Sequence, residues 1–412
     1  MVFMSSFGLM RLPRSVTFGC GQRRAVGNMA AEIGRRALVC TDQRLGADES
    51  FRSLLADLSR AGLTVQVFDR TQPDLPVESL LDCVSQGGAF APEVLIGIGG
   101  GSCLDLAKAA ALLLTFGAGI EAYYGELKVP GPTLPVIAIP TTSGTGSEVT
   151  PVAVIGDTAR DMKIGVSSPH LIPIAAICDP ELTVSCPPAL TASSGGDALT
   201  HAIEAFTALT RTATPQLAQQ HVFVGKNGFS DHFALLAITS IWRSLRRAYL
   251  DGSDLQARED LMLGALAAGC AFGTAGTAAA HALQYPVGNL THTAHGMGVA
   301  SLLPYVMEFN RPACTRPFAQ IARAVGLTDP TNTDDALSRR LIDEIARLLD
   351  SVGIPRTLKE LGLPADKQEW TAQSALSIAR LVKNNPRPLD LQALRQITQA
   401  AYTGDRAALQ HA

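Results

Sequence analysis

Two pairs of residues in this chain have the types and spacing to hold a metal ion. In GGDALTHAIEAF, Asp197 and His201 lie four residues apart. On a helix, positions i and i+4 share a face, so a carboxylate and an imidazole there reach one point. The stretch HALQYPVGNLTHTAHG, residues 281–296, holds three of the chain's eight histidines. Between His281 and His295, Pro286, Gly288 and Asn289 can break the chain into two helices that turn both imidazoles inward. One carboxylate and three imidazoles suit a borderline divalent ion, Fe2+ or Zn2+. Ca2+ and Mg2+ prefer oxygen sets. Taken singly, each residue has a plainer reading: Asp197 as an acid near a helix start, each histidine as a satisfied core or surface group.

A second chemistry is suggested by glycine. In GIGGGSCLDLAK, Gly99, Gly100, Gly101 and Ser102 join a buried apolar run to a helical one. Glycine lets backbone approach a ligand closely, and the helix that follows offers free N–H groups to a diphosphate. The pattern is not GxGxxG, so the usual dinucleotide fingerprint is absent, and a tight turn is the plain alternative. PTTSGTGSEVT, residues 140–150, follows another buried run and carries hydroxyls at Thr141, Thr142, Ser143, Thr145 and Ser147. Ligands of open α/β sheets sit at the carboxyl ends of strands, where both loops fall. Asp42 ends an earlier strand. An acid there binds a ribose 2′-OH and repels a 2′-phosphate, favouring NAD over NADP; its plain alternative is a helix N-cap.

The elements that must position these groups differ between the two halves. RRALVCTD (35–42), LTVQVFD (63–69), PEVLIGIGGGS (92–102) and LPVIAIPTT (134–142) read as strands. FRSLLADLSRAG (51–62), VESLLDCVSQGGA (77–89) and CLDLAKAAALLLTFG read as helices between them. This alternation predicts a Rossmann-like α/β domain, a parallel sheet with helices on both faces, over residues 1–186. Beyond the proline pair of SCPPAL, helical periodicity dominates. An all-α metal-binding domain is therefore expected over 187–412. HVFVGKNGFSD (221–231) reads as a loop or short β excursion. The opening MVFMSSFGLMRLPRSVTFG lacks ordered signal-peptide regions and reads as a short extension before a first strand near 16–19; a poor transit peptide is the alternative.

Composition narrows the class. Of 412 residues, 47% are hydrophobic and 17% charged, enough apolar material for large cores. A net charge of -3 with scattered Lys and Arg excludes a basic nucleic-acid surface, and no apolar run reaches membrane-spanning length. Eight cysteines without a CxxC point to buried thiols in a reducing cytoplasm.

Together, GGGSCLDLAK, PTTSGTGSEVT, DPELT (179–183), GGDALTHAIEAF and HALQYPVG with AHG resemble the iron-containing (group III) alcohol dehydrogenases. With LPRSVTFGCG the resemblance spans almost the whole chain. It implies a dehydroquinate synthase-like architecture and a homodimer or larger homo-oligomer. It implies Asp197, His201, His281 and His295 as ligands of Fe2+, with Zn2+ the alternative. It implies Gly99, Gly100 and Ser102 at the pyrophosphate of NAD, and Thr141, Thr142 and Thr145 in the cofactor loop. Lys163 falls near the cofactor, Phe272 beside the nicotinamide, and Asp42 at the acid that accompanies NAD preference. Asp105 and Lys108 match the pattern as supports of the loop.

Two departures stand out. Many members read HxxxHPxG where this chain reads HALQYPVG, so Tyr285 replaces a histidine thought to assist proton transfer. The link at 214–231 is longer than usual. The implied reaction passes hydride between a small alcohol and NAD, with an aldehyde or ketone as product. Tyr285 and His292 are the candidates for the proton route. A phenol is a poorer base than an imidazole at neutral pH, which favours a hydrogen-bonding or pocket-lining role for Tyr285. The alternatives are a hydroxyacid–oxoacid transhydrogenase, which a tyrosine at this place favours, a dehydroquinate synthase-like lyase, and a metal-and-nucleotide binding protein without catalysis.

Overall fold

The computed structural model describes residues 7–160 and 162–410; the start of the N-terminal extension, 1–6, lies outside them. The chain divides into two compact units. One comprises Arg11–Ser185 with Gln216–Val222. The other comprises Cys186–Pro215 and 223–410, with 7–10.

The first unit is built on a six-stranded parallel sheet. Its strands are β1 (Ser15–Phe18), β2 (Arg36–Cys40), β3 (Thr64–Phe68), β4 (Val94–Gly99), β6 (Val136–Pro140) and β9 (Ala175–Cys178). The order is β1-β9-β6-β4-β2-β3. Every residue of β4, β6 and β9 is buried, as expected for strands covered on both faces. The helix Glu49–Arg60 shows how a cover is made: Phe51, Leu54 and Leu58 recur at helical spacing and alone are buried. A smaller sheet, absent from the sequence reading, joins β5 (Gly125–Glu126), β8 (Met162–Ser167) and β7 (Val152–Asp157), with β7 and β8 antiparallel. The strands expected at 35–42, 63–69, 92–102 and 134–142 are found with their ends trimmed, and the one expected near 16–19 falls at Ser15–Phe18.

The second unit is helical. At its centre lies Pro188–Thr207, with all but one residue from Thr191 to Thr207 buried. Pro188 occupies its first turn, where a missing N–H costs nothing. Around it pack Gly228–Leu250, Leu255–Ala275 and His295–Ala324. The excursion at 221–231 makes one isolated bridge, Thr210 with Gly225, before an Asn227 capping box opens the helix Gly228–Leu250. Its flanking stretch Gln216–Val222 packs instead with the sheet unit: Glu126 accepts the Val222 N–H at 2.8 Å, and Arg11 donates to the Val222 carbonyl at 3.1 Å.

One expectation is corrected. The chain does not break at Pro286, Gly288 or Asn289; the helix Ala279–Thr291 runs through all three. Proline lacks only its own N–H, and the rest of the turn holds. The break falls at His292, whose φ of 52° is left-handed and whose N–H closes on the Gly288 carbonyl at 2.8 Å. No disulfide forms among the eight cysteines; seven are buried, but Cys20 is exposed. No single described helix is long and apolar enough to cross a membrane.

Candidate metal centre and dinucleotide loops

Asp197 and His201 sit one turn apart on Pro188–Thr207, both buried. His281 is the third residue of Ala279–Thr291, and His295 opens His295–Ala324. Glycines allow these helices to close. A Cβ on Gly196 would stand 2.8 Å from that of Ala300, and one on Gly296 would stand 2.1 Å from the Ser193 carbonyl oxygen. The residue beside each of two ligands is therefore glycine for packing reasons.

The four side chains converge on one carboxylate oxygen. Asp197 Oδ1 lies 3.7 Å from His201 Nε2, 3.6 Å from His281 Nε2 and 3.8 Å from His295 Nε2. These separations are too long for hydrogen bonds. Ligands about 2.1 Å from a tetrahedral centre stand about 3.4 Å from one another. Asp197 Oδ1 and His281 Nε2 are buried without a hydrogen-bond partner. Such a buried atom costs about 1–3 kcal/mol, and a divalent ion would satisfy both. The residues fit a metal. The first three ligand atoms gather within 4.8 Å in a buried group; His295, 28% exposed, forms the open side.

The surroundings fix the rings. His201 stacks on Phe272 at 4.1 Å and on His281 at 4.6 Å. Glu204, also buried, meets His281 Nδ1 at 2.7 Å. Burial opposes charge on His281, but Glu204 and Asp197 outweigh it and push the ring up to about 9. Burial likewise opposes the Asp197 carboxylate; His201, His281 and His295 outweigh it and hold the group well below the usual carboxylate range.

In the sheet unit the glycine turn follows β4. Gly99 has φ 146°, and a Cβ there would stand 2.6 Å from Cys103 Sγ, so no other residue fits. Gly100 precedes the helix Gly101–Phe116, whose first N–H groups have no helical partner. A Cβ on Gly100 would make only an ordinary contact, 3.6 Å from Thr142. Nothing in the chain's own packing demands glycine there, which leaves room for a ligand as its purpose. The two loops are knitted together. Thr141 donates its N–H to the Gly99 carbonyl at 2.9 Å, and a Cβ on Gly101 would stand 2.7 Å from the Thr145 methyl. Asp105 accepts from Ser147 Oγ and from the Val154 N–H, while buried Lys108 donates to Ser147 Oγ at 2.8 Å and the Val152 carbonyl at 2.9 Å. Ser102 Oγ accepts the Asp74 N–H at 3.1 Å, and Lys163 Nζ pairs with Asp74 Oδ1 at 2.7 Å.

The sequence pattern described as Iron-containing alcohol dehydrogenase matches residues 13–180, and the Fe-containing alcohol dehydrogenase family, C-terminal pattern matches 191–402. The chain belongs to the iron-containing alcohol dehydrogenase family. It is an oxidoreductase, an alcohol dehydrogenase in the coarse sense of that family. Among similar proteins, Long-chain-alcohol dehydrogenase 1 of Geobacillus thermodenitrificans is 39% identical over 92% of this chain and 94% of its own. The NAD-dependent methanol dehydrogenase of Bacillus methanolicus is 34% identical over 95% and 98%. A solved 1,3-propanediol oxidoreductase superposes with TM-score 0.90 at 31% identity, over 96% of this chain and all of that one.

Several of the expected residues make structural contacts of their own. Asp42 caps the helix Gln43–Gly46 by accepting the Leu45 N–H at 2.8 Å with Oδ1, and turns Oδ2 to Cys103 Sγ at 4.0 Å. Capping engages Oδ1 alone. Phe272 packs on the His201 ring. Tyr285 is half-buried, with its ring 6.0 Å from that of His295. His292 stands apart, exposed at its helix end. Sequence reasoning missed Glu204, although it lies at i+3 from His201 and i+7 from Asp197, on the ligand face. It also missed Glu148, buried in the hydroxyl loop and pushed up to about 7 by burial against Lys108 and its own backbone N–H.

Proposed function

We propose that the enzyme interconverts a small primary alcohol and its aldehyde with NAD, using a divalent ion held by Asp197, His201, His281 and His295. The observation that carries this reading is the convergence of three Nε2 atoms on Asp197 Oδ1 at 3.6–3.8 Å, with buried donor atoms left without hydrogen bonds. Fe2+ is the proposed ion; Zn2+ suits the same donor atoms. The similar proteins above are named for long-chain alcohols, methanol and 1,3-propanediol, and one of them for NAD. The sheet unit is then the dinucleotide-binding domain and the helical unit the metal-binding domain, and a homodimer is the expected assembly.

When bound, the ion supplies Lewis acidity toward an alcohol or carbonyl oxygen, and the nicotinamide supplies the hydride acceptor or donor. The chain's part is placement. Gly99, Gly100 and Ser102 set the helix start that receives the diphosphate, and Thr141, Thr142 and Thr145 line the neighbouring loop. Asp42 Oδ2 is the oxygen available to a ribose hydroxyl, which favours NAD over NADP. Lys163, held by Asp74, brings one positive charge to the same rim. His295, the partly exposed ligand, marks the side from which substrate enters, and Tyr285 lines it.

The test is a panel of primary alcohols, secondary alcohols and hydroxyacids, followed by NADH absorbance on enzyme reconstituted with Fe2+ and with Zn2+. NADH formation from primary alcohols, lost together with bound metal in His281→Ala, is expected. No NADH from any alcohol by the metal-replete enzyme, or full metal and turnover in His281→Ala, would overturn it. Hydride transfer from a hydroxyacid to 2-oxoglutarate without added NAD would identify a transhydrogenase instead.

A further inference from the structure

Glu204 is bonded directly to one of the candidate ligands, His281. Its carboxylate is buried, 3% exposed. It accepts three donors, each at 2.7 Å: the Ala278 N–H, the Ala280 N–H and His281 Nδ1–H. Two of these are backbone groups at the start of Ala279–Thr291. That helix has Ala278 at its N-cap and no side-chain cap of its own. Its orphan N–H groups are satisfied from another helix, by a carboxylate that also suits the positive end of the dipole.

The third donor sets chemistry. As a metal ligand the ring must be neutral, and a neutral ring that keeps its proton on Nδ1 for Glu204 has its lone pair on Nε2, the atom that faces Asp197 Oδ1. A partner on the far nitrogen of a ligating histidine fixes its tautomer and orientation and raises its basicity. Charge adds a second argument. A buried cation is stabilised by negative charge close to it. Asp197 supplies one such charge, and Glu204, bonded to the His281 ring, supplies a second.

We propose that Glu204 is a positioning residue of the metal centre. It starts the helix that carries His281, holds His281 in the tautomer whose Nε2 faces the ion, and balances the second charge of a divalent cation. This rests on the metal reading above. Neither the ligand roles nor the family membership requires it.

The experiment measures Zn2+ affinity by competition with a chromophoric chelator, using the full chain stripped of metal, for wild type, Glu204→Gln, Glu204→Asp and Asp197→Ala. Glu204→Gln removes the charge and an acceptor, and a 10- to 100-fold weaker affinity is expected. Glu204→Asp keeps the charge and should recover part of that loss. In the Zn2+-loaded wild type, imidazole nitrogen-15 spectra should show His281 protonated on Nδ1 and metal-bound through Nε2. This second readout needs no variant to fold. Wild-type affinity in Glu204→Gln, or a His281 bound through Nδ1, would overturn the proposal while leaving the metal site intact. A wild type that binds Zn2+ no better than Asp197→Ala would remove the metal reading, and this proposal with it.

Discussion

Asp197 is a carboxylate that the fold has buried and then surrounded with three imidazoles. An unpaired buried carboxylate is costly, and its low proton affinity keeps it ionised. Asp197→Ala should therefore abolish stoichiometric metal binding, measured by elemental analysis, and reduce turnover by at least about a hundredfold. Tyr285 is expected to behave differently. Its ring lies 6.0 Å from that of His295, and a phenol is a poor base at neutral pH, so Tyr285→Phe should retain full metal and lose no more than about tenfold in kcat, while its KM for alcohols tests a pocket role. Glu148 tests the electrostatics of the hydroxyl loop. Its folded pKa of about 7 lies above its ordinary 4.5, raised by burial. The folded state thus holds this proton more tightly than the unfolded state. The stabilisation is complete below about pH 4.5 and is lost as pH rises through about 7. Glu148→Gln should leave stability near wild type at pH 5 and raise it by about 1–2 kcal/mol at pH 8, part of the gain being offset by the lost attraction to Lys108. Denaturant midpoints at the two pH values measure it.

The helices place the ligands only because small residues let them touch. Gly296 lies where a side-chain carbon would stand 2.1 Å from a backbone oxygen of the Asp197 helix. Gly296→Ala should push His295 away, costing about 1–3 kcal/mol of stability and at least tenfold in metal affinity. Denaturation and chelator competition read the two effects separately. The same scale explains what the sequence could and could not reveal. The buried strands β4 and β6 are legible as continuous apolar runs, and the i, i+4 pair Asp197/His201 is legible from helix geometry alone. The break between His281 and His295 is not, because proline and glycine in the helix suggest a stop that the ladder does not need, while a histidine in left-handed conformation provides the real one. Nor is the antiparallel pair β7 and β8: β7 opens on the apolar run VAVI, but β8, MKIGVS, mixes apolar, charged and glycine residues and does not mark itself as its partner. Glu204 sat on the ligand face in plain sequence. Its partners are Ala278, Ala280 and His281, more than seventy residues away, and only the fold brings them together.

At the scale of the whole molecule, the two candidate ligands address different units. The candidate metal-binding side chains all lie in the helical unit, and the glycine turn and hydroxyl loop all lie in the sheet unit. A ligand that binds only the folded form stabilises it by about 2.7 kcal/mol at a hundred times its dissociation constant. Metal removal should lower the unfolding temperature through the helical unit, and added NAD should raise it through the sheet unit. Calorimetry with metal or NAD varied alone should move separate parts of the transition. The Trp242 and Trp370 signals report the helical unit. The most direct test of the central claim is a crystal grown with Zn2+ and measured on both sides of the zinc absorption edge. One strong anomalous peak about 2.0–2.2 Å from Asp197 Oδ1 and from Nε2 of His201, His281 and His295 is the expected result. A peak elsewhere, or none at saturating zinc, would contradict the account.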